Sequence, residues 1–155
     1  MRTLIKSGQE ALFIAIEMER GAVQTYERAL MLIDSGDAAL KALRQQLLII
    51  LSDERQHLAQ FMALYKGLDE TMEEQLMLSA ISSTVLFEGG LMGAVRQGML
   101  KDKESLIDFA KSAEKKAAAT YRSFAQTCND QPTADMLLSI ANEEDRHLHT
   151  LRNYT

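Results

Sequence analysis

The chain has 155 residues, a common size for one domain, and we predict a single domain over residues 1–155. Its formal net charge is −5, and it has no lysine- and arginine-rich block of the kind that binds nucleic acid. The single cysteine excludes an intrachain disulfide, and no apolar run reaches the length of a membrane span. The first residues also lack the apolar stretch of a signal peptide, so we expect a cytoplasmic protein with no membrane partner.

Four long helices are predicted, and the first two are joined by a short turn. The first begins at Ser7, which forms a capping-box pattern with Glu10, and its apolar stripe continues to Ile33. The second runs from about 38 to 66, where Gly67 is expected to end it. The short turn between them predicts a helical hairpin.

The third and fourth helices predict a second hairpin. The third begins near Asp102 or Ser105, either of which suits a cap, and ends at about Cys128. Pro132 suits the first turn of the fourth helix, which ends at about Asn153.

The connection between the hairpins, residues 68–101, is too long for a simple turn. We predict within it a helix capped by Thr71 with Glu74, and a break at Gly89 and Gly90. A connection of this length can travel the height of a bundle, as it does in ferritin-like folds. The sequence therefore predicts an all-α, ferritin-like four-helix bundle with a long crossover between helices 2 and 3.

The two hairpins resemble each other in sequence. The segment 19–26 matches 114–121, and the segment 47–58 matches 137–148. Such an internal duplication predicts a pseudo-two-fold bundle, in which the inner face of one hairpin meets its counterpart in the other.

Acidic residues and histidines interrupt the apolar stripes at corresponding positions of the repeats. Each hairpin has one Glu-x-x-His motif, whose two side chains share a helix face and can bind one ion, and one further Glu on its other helix. This combination is the ligand set of di-iron and di-manganese carboxylate bundles. The six predicted metal ligands, which would form the catalytic centre, are Glu19, Glu54, His57, Glu114, Glu144 and His147.

The residue types fit a pair of divalent ions. Four carboxylates balance the charge of two such ions, which makes their burial tolerable. Mixed oxygen and imidazole ligands suit iron or manganese better than a metal that prefers thiolates. We therefore predict two iron ions, with manganese as the alternative.

Four further residues are candidates for supporting the ligands. Tyr26 and Tyr121 lie seven residues after Glu19 and Glu114, and either pack as core aromatics or donate hydrogen bonds to ligand carboxylates. Asp53 and Glu143 precede the motif glutamates, and are either histidine partners or solvated charges.

The two E-x-x-A-x-x-x-Y blocks and the two E-x-x-H blocks resemble those of the rubrerythrin family, over nearly the whole chain. That resemblance implies reduction of hydrogen peroxide at a non-haem di-iron centre. It further implies two terminal carboxylates, from Glu19 and Glu114, and two bridging carboxylates, from Glu54 and Glu144. One imidazole per metal would come from His57 and His147.

The sequence departs from that family in two respects. It lacks the CxxC pairs of an appended rubredoxin domain, so an external donor protein would have to supply electrons. Ala117 stands where typical rubrerythrins have an additional glutamate, which leaves a simpler and more symmetric ligand set.

Three functions remain open from the sequence. The first is a di-iron peroxidase, the second a ferroxidase that oxidises Fe(II) with O₂, and the third a non-enzymatic helical scaffold. Manganese-dependent, catalase-like chemistry is a lesser option. A homodimer is expected because it is the commonest assembly.

Overall fold

The computed structural model describes residues 5–33, 36, 38–83 and 102–154, and all secondary structure in these residues is helical. The all-α prediction is therefore confirmed, while the predicted break at Gly89 and Gly90 lies outside the described residues. None of the described helices is both long and apolar enough to cross a lipid bilayer. The helices are α1 (Gly8–Leu32), α2 (Lys41–Leu64), α3 (Glu70–Ser82), α4 (Lys103–Thr127) and α5 (Gln131–Arg152), with a short 3-10 turn (Ala38–Leu40) before α2.

Side-chain caps fix the starts of α1 and α4. Ser7 Oγ accepts a hydrogen bond from the backbone N–H of Glu10 at 3.2 Å, as the capping-box pattern predicted. Of the two candidates for α4, Asp102 is the cap. Its carboxylate accepts from the N–H of Ser105 at 2.8 Å, and Ser105 Oγ accepts in return from the Asp102 N–H at 3.2 Å.

The predicted cap of the connector helix was wrong. The cap of α3 is Asp69, two residues before Thr71, and its carboxylate accepts from the N–H of Met72 at 2.8 Å. Aspartate is the better cap because its charged oxygen both accepts the hydrogen bond and interacts favourably with the helix dipole. The preceding Gly67 has a φ of 99°, a left-handed conformation that favours glycine and separates α2 from α3.

The first helix pair, α1 and α2, runs antiparallel and is tied together at both ends. Near the end of α1, the Arg44 guanidinium of α2 donates to the carbonyl of Leu30 at 2.7 Å. Near its start, Gln9 donates to the carbonyl of Leu64 at 3.2 Å and accepts from the N–H of Lys66 at 2.6 Å. The short connection predicted as a turn therefore produces a close helical hairpin.

The second helix pair, α4 and α5, packs against the first, with α1 contacting α4 and α2 contacting α5. The start of α1 lies beside the junction of α4 and α5. A Cβ on Gly8 would lie only 2.9 Å from Cys128 Sγ and 3.7 Å from Thr133, so glycine permits this close approach.

Two separate apolar clusters form the core. The first core cluster comprises Ile5, Ala11, Leu12, Ile14, Ala15, Ile16, Phe61, Leu76, Ala80, Ala117, Ala118, Tyr121, Phe124, Leu137, Ile140 and Ala141. The second core cluster comprises Tyr26, Ala29, Ile33, Leu43, Leu47, Ile50, Leu51, Leu106, Ile107, Ala110 and Leu151. Each of the four long helices contributes to both clusters, so each also crosses the layer that lies between the two clusters.

We expect the bond between Tyr65 and Glu73, which joins the end of α2 to α3, to weaken at alkaline pH. The phenol donates to the Glu73 carboxylate at 2.6 Å, and burial together with that carboxylate raises the pKa of Tyr65 to about 12. An unfolded tyrosine titrates near pH 10, so the stabilisation is complete below pH 10 and is lost as the pH rises through 12. Tyr65→Phe should lower the free energy of unfolding by about 1 kcal/mol at pH 8.

Denaturant unfolding of the wild type and of Tyr65→Phe between pH 8 and 12 measures this effect. The difference between the two proteins should shrink above pH 10. A difference that stays constant to pH 12 would contradict the assignment.

Candidate metal centre

The six predicted ligands meet in the layer between the two core clusters. On α1, Glu19 follows the last residue of the first core cluster and precedes the first residue of the second. The Glu of α4 and the Glu-x-x-His motifs of α2 and α5 occupy the same boundary on their helices. None of the six residues is more than 5% exposed.

Their ligand atoms form two overlapping groups, within each of which all candidate atoms lie within 4.8 Å of one another. Glu54 and Glu144 belong to both groups. Either group could hold a metal ion, and the shared carboxylates lie between the two positions. The groups are Glu19, Glu54, His57 and Glu144, and Glu54, Glu114, Glu144 and His147.

Both imidazoles point their Nδ1 atoms into the site. His57 Nδ1 lies 3.3 Å from Glu54 Oε1 and 3.1 Å from Glu144 Oε1. His147 Nδ1 lies 3.1 Å and 3.5 Å from the same two oxygens. The rings are stacked with centroids 5.9 Å apart, so the two shared carboxylates face both histidines.

The outer nitrogens of the histidines face carboxylates of the opposite helix pair. His147 Nε2, on α5, is hydrogen-bonded to Asp53 of α2 at 3.0 Å. His57 Nε2, on α2, lies 3.3 Å from Glu143 of α5. The structure therefore has Asp53 as a hydrogen-bond partner of His147, which orients the Nδ1 of that ring toward the site, whereas Glu143 lies close to His57 without a hydrogen bond.

The two buried tyrosines also reach across the pairs. Tyr26 of α1 donates to Glu114 Oε1 of α4 at 2.5 Å, and Tyr121 of α4 donates to Glu19 Oε1 of α1 at 2.8 Å. Each of these two carboxylates thus has one oxygen bound to a phenol. Of the two alternatives left open by the sequence, the structure has the hydrogen bond to a ligand carboxylate, although the sequence did not indicate which carboxylate each tyrosine would reach.

Several buried atoms at the centre lack a hydrogen-bond partner, although oppositely charged atoms are close. A buried donor or acceptor without a partner is costly, and a cation at the centre would satisfy the unpaired carboxylate oxygens and the two Nδ1 atoms, whereas His57 Nε2 faces Glu143 on the outer side. The donor set therefore fits a metal. The unpaired atoms of the cluster are Glu19 Oε2, both Glu54 oxygens, both His57 nitrogens, Glu114 Oε2, Glu144 Oε1 and His147 Nδ1.

Burial and mutual repulsion govern protonation in the metal-free cluster. Burial raises the pKa of Glu19, Glu114 and Glu144, and neighbouring carboxylates raise it further. Burial acts in the same direction on Glu54, but the two imidazoles beside it bring its pKa below the usual range. Without metal, the site therefore retains protons that a metal must displace.

The pKa values of the two histidines are raised, whereas burial in apolar surroundings would lower the pKa of an imidazole. Burial alone would lower the pKa of His57, but Glu144, Glu19 and Glu54 around its ring raise it well above the usual range. The carboxylates around His147 have the same effect. Two imidazolium cations thus partly compensate the carboxylates when no metal does so.

A cavity of about 830 Å³ lies between α1 and α4 and reaches the site. Its walls include Glu19, Glu114 and Glu144, together with Gly21 and Ala117. Sequence reasoning did not identify it. The available signal was Gly21, a helix-destabilising residue in the middle of a 25-residue helix.

No protein-family model, curated protein or solved structure matches this chain. The resemblance to rubrerythrins therefore depends on the motif residues themselves. In the structure the six motif side chains converge in one buried cluster, as the duplicated motifs predicted.

We expect divalent metal to stabilise the protein through this site. Mn²⁺ at about 100 times its dissociation constant should add about 2.7 kcal/mol, which raises Tm by roughly 5–10 °C in a domain of this size. Glu54→Ala should abolish most of that increment, because Glu54 belongs to both groups of ligands. Calorimetric melting with and without Mn²⁺, combined with measurement of bound metal, tests this.

Glu27→Ala is the matched control, since Glu27 is an exposed carboxylate paired with Arg55 at 3.2 Å. Its metal-dependent increment should equal that of the wild type. An increment retained in full by Glu54→Ala would show that the metal binds elsewhere.

We also expect Tyr121→Phe to destabilise the metal-free protein by about 1–3 kcal/mol, because it removes the only phenol bound to Glu19 among the described residues and leaves a buried acceptor unpaired. Urea unfolding of the metal-free protein measures the loss. Tyr154→Phe, at a residue that is 38% exposed, is the control and should change the stability by less than about 0.5 kcal/mol. Equal losses in both variants would mean that the bond to Glu19 contributes nothing specific.

Proposed function

We propose that the chain is a non-haem di-iron carboxylate protein of the rubrerythrin type, which reduces hydrogen peroxide with electrons from a separate donor protein. The observation that carries the proposal is the pair of overlapping ligand groups sharing Glu54 and Glu144. A single metal would need only one such group. Two groups with two carboxylates in common would suit two neighbouring ions that both use those carboxylates.

The positions of the helix ends support a ferritin-like bundle with a crossover. The end of α2 and the end of α4 both lie near the start of α1, as the contacts of Gln9 and Gly8 indicate. Consequently α2 and α4 are parallel, and the chain between them has to return along the full length of α4. At 1.5 Å per residue, the 25 residues of α4 span roughly 37 Å.

Each predicted ligand would have a defined role in binding the metals. Glu19 and Glu114 would each give one metal a terminal carboxylate, held in orientation by Tyr121 and Tyr26. His57 and His147 would each provide one imidazole, with the outer nitrogen facing a carboxylate that raises its basicity. The metal pair supplies two electrons when it is bound in the reduced state.

The apolar clusters above and below the site would exclude water and keep the ligand geometry rigid. Ala117, where typical rubrerythrins have a further glutamate, is also buried and offers no additional ligand. We therefore infer a symmetric site with a fixed set of six ligands. We further propose a homodimer in the cytoplasm, where reduced donor proteins are present.

The decisive measurement is the metal content of protein purified without air, followed by its optical spectrum after addition of peroxide or of O₂. We expect two iron ions per chain and oxidation far faster by hydrogen peroxide than by O₂. Asp53→Asn should reduce the metal content or the rate, whereas the exposed pair Arg122 and Asp145 should tolerate Asp145→Asn.

The other results would select among the remaining functions. Two ions oxidised readily by O₂ would establish a ferroxidase, and solution size would then test for a storage cage. Binding of manganese in preference to iron would favour catalase-like chemistry. Failure to bind stoichiometric metal under reconstitution would leave a helical scaffold.

A further inference from the structure

The cavity beside the site is far larger than a peroxide molecule requires. Its volume is about 830 Å³, whereas a molecule the size of water takes roughly 30 Å³ in the liquid. Cavities of roughly 300–1,000 Å³ are typical of sites for organic ligands. The size alone therefore raises the question of what else reaches the site.

Most of the wall area of the cavity is apolar. Ala22, Ala113 and Ala117 contribute small side chains from α1 and α4, and Met77 and Ile81 of α3 contribute larger ones. Exposed polar and charged residues also line it, namely Arg20, Gln24, Asp108, Ser112 and Lys116. This distribution suits a molecule with an apolar body.

A helix-destabilising glycine lines the cavity on α1. Gly21 lies in the middle of α1, where glycine is unfavourable, and a Cβ placed on it would meet no atom of the described residues within 4 Å. Its counterpart in the second repeat is Lys116, so the repeat does not require glycine here. An alanine would therefore fit and stabilise the helix, and a longer side chain would take up part of the cavity that Gly21 lines.

Three of the predicted ligand residues line the cavity and carry unpaired atoms. Glu19 Oε2, Glu114 Oε2 and Glu144 Oε1 are buried without a hydrogen-bond partner, and all three residues line the cavity. A molecule lying in it could therefore reach the proposed metal pair with one end and pack its body against the alanines, Met77 and Ile81.

We propose that the substrate is an organic hydroperoxide, ROOH, whose alkyl group lies in this cavity, an inference that rests on the proposed peroxidase function. In the reaction the O–O bond breaks, two protons are taken up, and the products are the alcohol ROH and water. The two electrons would be supplied by the reduced metal pair held by the six ligands, and the separate donor protein would replace them.

The first test uses the metal-free protein and a product analogue, so it does not depend on activity. Titration calorimetry with 1-octanol should show saturable binding at one site per chain. Gly21→Leu, which fills the cavity and removes a helix-destabilising glycine, should weaken that binding at least tenfold, and Gly21→Ala should weaken it less. Ala119→Leu, at an exposed residue of α4 outside the cavity, should bind 1-octanol as the wild type does.

The second test compares kcat/KM of the iron-loaded wild type for hydrogen peroxide and for ethyl, butyl and octyl hydroperoxide. Complete burial of one methylene group is worth about fourfold in affinity, so we expect kcat/KM to rise on the order of 100-fold from butyl to octyl. In Gly21→Leu, the ratio of kcat/KM for octyl hydroperoxide to that for hydrogen peroxide should fall at least tenfold.

The results separate the two proposals. Reduction of hydrogen peroxide without dependence on chain length, together with failure to bind 1-octanol, would overturn the organic substrate and leave the peroxidase intact. Binding of 1-octanol without reduction of any hydroperoxide would overturn the peroxidase, and the hydroperoxide with it. Equal binding of 1-octanol by Gly21→Leu and wild type would show that the cavity is not the binding site.

Discussion

Four carboxylates and two imidazoles lie in a layer that the apolar core surrounds on both sides, and most of the structure is arranged around this layer. Charges at that depth are costly unless they are paired, protonated or bound to a cation. The helices therefore need their buried faces to change from apolar to acidic and back again at one common height. That requirement explains why the same boundary occurs on α1, α2, α4 and α5.

The two helix pairs are held together at this layer by reciprocal polar contacts. Tyr26 of the first pair donates to Glu114 of the second, and Tyr121 of the second pair donates to Glu19 of the first. The contacts between the histidines and Asp53 or Glu143 follow the same rule. Polar contacts of this kind are directional, so they fix the register between the pairs more strictly than apolar packing alone would.

Much of this arrangement could be predicted from the sequence. The helix boundaries followed from Ser7, Gly67 and Pro132, and the six clustered residues followed from the duplicated motifs, because spacing alone determines which side chains share a helix face. The cap at Asp69 was missed because Thr71 gave the better pattern match with Glu74. The cross-pair partners of the tyrosines and the cavity at Gly21 depend on how two helices lie side by side, which one helix's periodicity does not specify.

The reciprocal contacts also have a consequence for the order of events during synthesis. The partners joined by the tyrosine and histidine bonds are 88 to 102 residues apart in the chain. When residue 67 leaves the ribosome, Glu19, Glu54 and His57 are complete, yet the residues that satisfy them have not been made. At 5–20 residues per second, His147 follows roughly 4–16 s later. The first helix pair thus spends several seconds with an unsatisfied acidic strip on its apolar face, a period in which premature metal capture or association with another nascent chain competes with correct docking.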